Sequence, residues 1–260
     1  MKKHYPDCKF IISTWCFENE NDSNPEGEWV GLNKALLEDK SWADYILADG
    51  HEDYFPKYLL ETGVPGNLPL INFPEISMYG MFPWGGYGVN PLPKHFQQLW
   101  DRIKHKASGG MPYSEGIYDD LNKVIIAGLY WDPDRKAEET VREYSNYEFN
   151  PAISDDMVEV VNIFEKNHFR ELSKKSFTDS ITVSALRAFE LVSKAEEKMT
   201  EQAKKSWRWR IFYLRALIDK EIYNHKGKLE GDTLKKAFEE LTKIYYAENA
   251  FRWVKPPTIK

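Results

Sequence analysis

Three short apolar runs, at residues 9–17, 44–48 and 68–73, alternate with two stretches of helical character at 31–40 and 52–62. This alternation constrains the fold more than any other feature of the chain. A strand that returns to its sheet through a helix pairs in parallel, and such crossovers turn right-handed. In the first run Phe10, Ile12 and Thr14 alternate with Ile11 and Ser13, the period-two pattern of a strand. The second predicted helix ends at Gly63, with Pro65 just beyond it, a common helix stop. Three parallel strands would direct their carboxyl ends to one rim.

From about Pro112 the chain reads as helix. Helices are predicted over 93–106, 114–130, 134–149, 154–169, 179–200, 201–225 and 232–252 from apolar periodicity and from start and stop residues. Met157, Val161, Phe164 and His168 recur at helical spacing, as do Trp207, Ile211, Leu214 and Ile218; such stripes ordinarily pack a core. The expected class is therefore α/β followed by all-α, with an α/β segment over 1–107 and a helical domain over 108–260.

Composition removes several functions. No apolar run approaches the roughly 20 residues that cross a bilayer, so no membrane span is expected. The amino terminus has positive charge, but polar Ser and Thr interrupt its apolar run and no small-residue cleavage pattern follows, so no signal peptide is visible. A net charge of −6 argues against a nucleic-acid partner, which needs a basic face. Cys8 and Cys16 would lie roughly 25 Å apart on one extended strand, too far to bridge. Aromatic residues make up 15% of the chain, with 15 Tyr, 14 Phe and 9 Trp, and rings in excess of a core's needs tend to line clefts that receive flat apolar surfaces, sugars included.

The chain lacks a phosphate-cradling GxxxxGK[ST], a GxGxxG after a strand, a GxSxG elbow and an HExxH pair. His51, Glu52 and Asp53 are sequence neighbours, which do not converge on one metal, and the acidic loop 18–28 lacks EF-hand ligand spacing. Neither a metal nor a cofactor is expected. Carboxylates do collect where strands end: Glu18 after the first, Asp49 with His51 after the second, Glu75 after the third. Glycoside hydrolysis needs two carboxyl groups roughly 5 to 9 Å apart, and Glu75, Asp49 and Glu18 are the candidates. Glu18 and Asp49 equally suit helix caps and loop acids. Glu75, between Pro74 and Ile76, has an apolar setting that would favour general acid or base work. Asn72, Trp84 and Tyr87 lie near it in a segment with Gly80, Gly85, Gly86 and Gly88. Trp84 would stack on a sugar face while Asn72 meets its hydroxyls; the plain alternative is a Gly-rich turn pinned by a buried Trp. Trp15, His51, Tyr113 and Glu115 complete the expected binding residues, with Ser114 an alternative helix cap.

The segment NFPEISMYGMFPWGGYGVNPLPKHFQQLW, with GGMPYSEGIYDDLNKVI, LYWDPDRKAEETVREY and the WRWRIFYLRALID helix, resembles the carboxyl-terminal part of bacterial glycoside-hydrolase-like proteins of the α-glucuronidase-like, DUF4838-containing group. The resemblance implies a (β/α)8 barrel with its sugar site at the strand carboxyl ends, and a helical domain beside it. Only about three strands can be placed, so a partial barrel is expected, with strand edges that a missing amino-terminal segment or a second copy would cover. The expected partner is a carbohydrate. Two other readings stand beside glycoside hydrolysis: a non-catalytic saccharide-binding module, and a helical protein-interaction module docking through residues 207–222.

Overall fold

The computed structural model describes residues 4–15, 17, 27–50, 55–77, 89–114, 118, 120–168, 177–246 and 257–260. In chain order its sheet half contains β1 (Ile11–Ser13), α1 (Glu28–Glu38), β2 (Tyr45–Asp49), α2 (Lys57–Glu61), a 3-10 turn (Pro65–Asn67), β3 (Leu70–Phe73), β4 (Glu75–Ser77), α3 (Pro93–Ile103), β5 (Ala107–Gly110) and β6 (Tyr113–Ser114). Among the described residues seven α-helices follow: α4 (Asp120–Trp131), α5 (Ala137–Glu148), α6 (Ser154–Lys166), α7 (Ser184–Glu196), α8 (Glu201–Lys205), α9 (Trp207–Asn224) and α10 (Asp232–Tyr246). The chain forms two compact units, one of Met1–Glu75 with Gln98–Tyr113 and one of Ile76–Gln97 with Ser114–Lys260. It is α/β followed by helix, with the parallel sheet that the alternation predicts and the partial barrel-like segment that the resemblance implies.

The first unit is built on a parallel sheet in the order β1-β2-β3-β5. The predicted strands are there, and β5 is a fourth that the sequence reading leaves in a loop. Its residues are Ala-Ser-Gly-Gly, with no apolar period to betray a strand; pairing with β3 supplies what propensity does not. The ladder joins Leu70 to Ala107 and then Ile71 to Gly109, which leaves Ser108 as the extra residue of a bulge. The register also sets the faces. Ile46 lies beside Leu70 and Ala48 beside Asn72, while Leu47 lies beside Ile71 and Asp49 beside Phe73. The first set is buried throughout; in the second only Leu47 is fully buried. One face is therefore closed and the other half open.

The crossover helices differ from expectation at their starts. α1 begins at Glu28, three residues early, and the described part of the second crossover is helical only after Pro56. Trp29 of α1 stacks on Tyr58 of α2, with ring centroids 5.7 Å apart. Beneath α1, Gly66 takes φ 62° and its amide donates to Asn33 Oδ1 at 2.9 Å. A Cβ there would stand 2.7 Å from Leu36 Cβ, so both conformation and space require glycine.

The second unit packs α4 to α10 around α9. Trp209, Phe212, Leu214, Ile218 and Ile222 of α9 are buried, as are Met157, Val161 and Phe164 of α6. Phe149 joins the Trp209 and Phe212 rings edge-on at 5.2 and 5.7 Å. α9 is buried nearly all round, the pattern of a central helix, so its apolar residues serve the unit's own core. The predicted helix over 201–225 breaks at Ser206, whose ψ of 136° is extended. Two buried polar groups on α9 hold the chain entering α3: Arg215 Nε contacts both Asp219 carboxylate oxygens at 2.9 and 3.0 Å, and its Nη1 donates to Val89 O at 2.8 Å and Asn90 Oδ1 at 2.6 Å. Asn122 of α4 donates to Asn90 O at 2.8 Å and accepts from Leu92 N at 2.9 Å. Glu165 of α6 then caps α3, accepting from Lys94 N at 3.1 Å and His95 N at 2.9 Å. No helix among the described residues is long and apolar enough to cross a membrane.

Candidate functional site

Backbone pairing continues past the assigned strands at their carboxyl ends. Thr14 N donates to Leu47 O at 3.0 Å, Gly50 N to Phe73 O at 3.0 Å, Met111 N to Asn72 O at 2.8 Å and Tyr113 N to Pro74 O at 2.9 Å. These bonds fix the residues just beyond the sheet as firmly as those within it. Strand alternation then directs Trp15 to the half-open face, along with Asp49 and Phe73.

The result is a row of three rings. Phe73 sits in the middle, its ring centroid 6.4 Å from Trp15 and 6.1 Å from Tyr113, with interplanar angles of 65° and 53°. Trp15 is 57% exposed and Tyr113 36%. Neighbouring strands stand roughly 4.8 Å apart, and β2 lies between β1 and β3, so the Trp15 ring reaches Phe73 across β2 at the level of Asp49. Asp49 belongs to the same face, in register with Phe73. Gly109, in register with Ile71, adds no side chain, and a Cβ there would meet nothing within 4 Å. The face stays low beside the rings.

Asn72 lies on the other face from this row. Asn72 is 6% exposed and aligned with Ala48 on the closed face, where its Oδ1 would lie 3.1 Å from a Cβ on Gly50. Glu75 begins β4 beyond Pro74 and is 4% exposed. Glu18, His51, Trp84, Tyr87 and Glu115 lie outside the described residues. Sequence reasoning missed Phe73, which it treated as one more apolar strand residue. The available signal was its position: the last residue of a parallel strand, at the same rim as Asp49.

No family model matches the chain, and no curated protein matches it. Among solved structures it is similar to one titled a novel family GH115 4-O-methyl-α-glucuronidase, BtGH115A, with specificity for decorated arabinogalactans. The TM-score is 0.50 at 11% identity, over 80% of this chain and 33% of that one. The likeness is one of fold, and this chain spans about a third of the neighbour's length. At that level the protein resembles part of a carbohydrate-active enzyme.

Proposed function

We propose that the protein handles carbohydrate at the carboxyl rim of its parallel sheet, as part of a glycoside-hydrolase-like barrel. The observation that carries this reading is the row Trp15, Phe73 and Tyr113 beside Asp49. Aromatic faces bind the apolar faces of sugar rings, and a carboxylate at their edge accepts hydrogen bonds from hydroxyls. The fold likeness to a glucuronidase supports the class of ligand. In the catalytic form of the proposal Glu75 and Asp49 act as the carboxyl pair, with Glu18 as the further candidate, and Trp84, Tyr87, His51 and Glu115 complete the binding surface. Strands beyond β1 or β5, from a longer chain or a second copy, would continue the sheet.

A second reading, binding without cleavage, is favoured by the burial of Glu75: a carboxyl group so enclosed meets a ligand only if neighbouring groups move aside. Glycoside turnover by the longest natural form, compared with its Glu75→Gln variant, decides between them. The catalytic form predicts a loss of at least a hundredfold in kcat, in line with the usual worth of a general acid or base, about 10²–10⁴-fold. Unchanged turnover would remove Glu75 from the chemistry, and saccharide binding with no product would establish the second reading.

A further inference from the structure

Strand order decides which faces of the first unit are covered. The order β1-β2-β3-β5 always steps to the same side, and every pair in it is parallel. Right-handed crossovers then place the connecting helices α1, α2 and α3 on one face. That face is the one closed over Ile46, Ala48 and Leu70. The opposite face has Leu47, Ile71 and Phe73 at its centre, and its large apolar side chains are most open at its two margins. Ile11 is 49% exposed on β1, on the same face as Trp15, and Met111 is 48% exposed where the chain runs from β5 to Tyr113. A parallel sheet is ordinarily covered on both faces.

The two edges are also complementary. Among the described residues no strand pairs beyond β1 or β5. Tyr45 N donates to Phe10 O at 3.1 Å and Thr14 N to Leu47 O at 3.0 Å, so alternation turns the main-chain groups of Ile11 and Ser13 away from β2, to the outer side. On the open face this edge is bulky, with Ile11 and Trp15. The β5 edge is bare there: Gly109 has open space where a side chain would stand, and the bulge at Ser108 bends the strand.

We propose that two copies of this chain close a barrel between them, β5 of each running parallel to β1 of the other about a twofold axis along the barrel. The inference rests on the reading of the sheet as part of a barrel. Four strands from each copy make eight, the number whose inward side chains fill the interior, and one twofold contact covers both edges of both copies. The bulky edge of each copy meets the bare edge of the other. The two inner faces, each on the order of 300 Å² from strand spacing and rise, together with four strand edges and the helices beside them, come to about the 1,200–2,000 Å² that a specific dimer buries. The two ring rows then stand across the mouth from each other, each supplying the wall the other lacks.

The test is sedimentation equilibrium of the full chain and its Ile11→Glu variant, with amide hydrogen exchange at Ile11 and Ser13 in concentrated and dilute protein. Ile11 is half exposed in the single copy, so the charge is tolerated there and enclosed only in the dimer. A dimer is expected, with Ile11→Glu weakening it at least tenfold and with both amides exchanging at least tenfold more slowly in the concentrated protein. A monomer at every concentration, a dimer indifferent to Ile11→Glu, or a dimer whose Ile11 and Ser13 amides exchange as in the dilute protein would overturn the inference. Titration with a glucose hexasaccharide separates this from the carbohydrate reading: a monomer that binds the sugar overturns closure alone, and a dimer with protected edge amides that binds none supports closure while removing the sugar site.

Discussion

The two units use buried and half-buried charge in opposite ways. In the helical unit Arg215 and Asp219 are closed off, and their hydrogen bonds are spent on each other, on the Val89 carbonyl and on the Asn90 side chain. At the sheet rim Asp49 is half buried beside rings that still face outward. The closed network ties the chain at Val89 and Asn90 to α9, and a buried ion pair, which adds little over well-packed apolar groups, is costly to break from one side. An open one leaves surface for something else to meet. The difference teaches where to expect loss of fold on mutation and where to expect loss of binding.

The largest effect belongs to the closed network. Arg215→Met leaves Asp219 buried without its cation, and removing one partner of a buried pair costs about 3–5 kcal/mol; a denaturant midpoint would show it. A shift no larger than a surface substitution gives would mean the network is not the anchor described. The smallest effect belongs to the amino end of the sheet. The hydrogen bond from Lys9 to Asp44, and the Asp44 charge, hold the Lys9 ammonium above its ordinary pKa, yet the pair is exposed on the lysine side. Lys9→Met should leave the thermal midpoint unchanged within error. Asp44→Ala should lower it, because Asp44 also accepts from Phe10 N at 2.9 Å and that donor would lose its partner.

Much of the sheet was legible because its three apolar runs are regular and separated by helical connections. β5 was not, since a strand of Ala, Ser and two Gly owes its conformation to β3 and a bulge. The break at Ser206 was hidden for a related reason: the residues on both sides favour helix, and only backbone geometry separates α8 from α9. At the site, Asp49 could be named from its place at a strand end and Tyr113 from the polar cluster it forms with Ser114 and Glu115, while the strand pairing that brings Tyr113 to Phe73 was hidden with β5. The opposite orientation of Asn72 could not, because it depends on register, and a shift of one residue reverses every side chain. Phe73 was overlooked for the same cause, its face being decided by its pairing with Asp49.

The central claim is that the ring row binds sugar. It is tested most directly by titrating a neutral hexasaccharide into the full chain and into its Trp15→Ala variant, with the thermal midpoint of both recorded. Trp15 is largely exposed, so the variant should keep its midpoint while binding falls at least tenfold, about 1.4 kcal/mol. Equal affinity in the two proteins, at equal stability, would contradict the account.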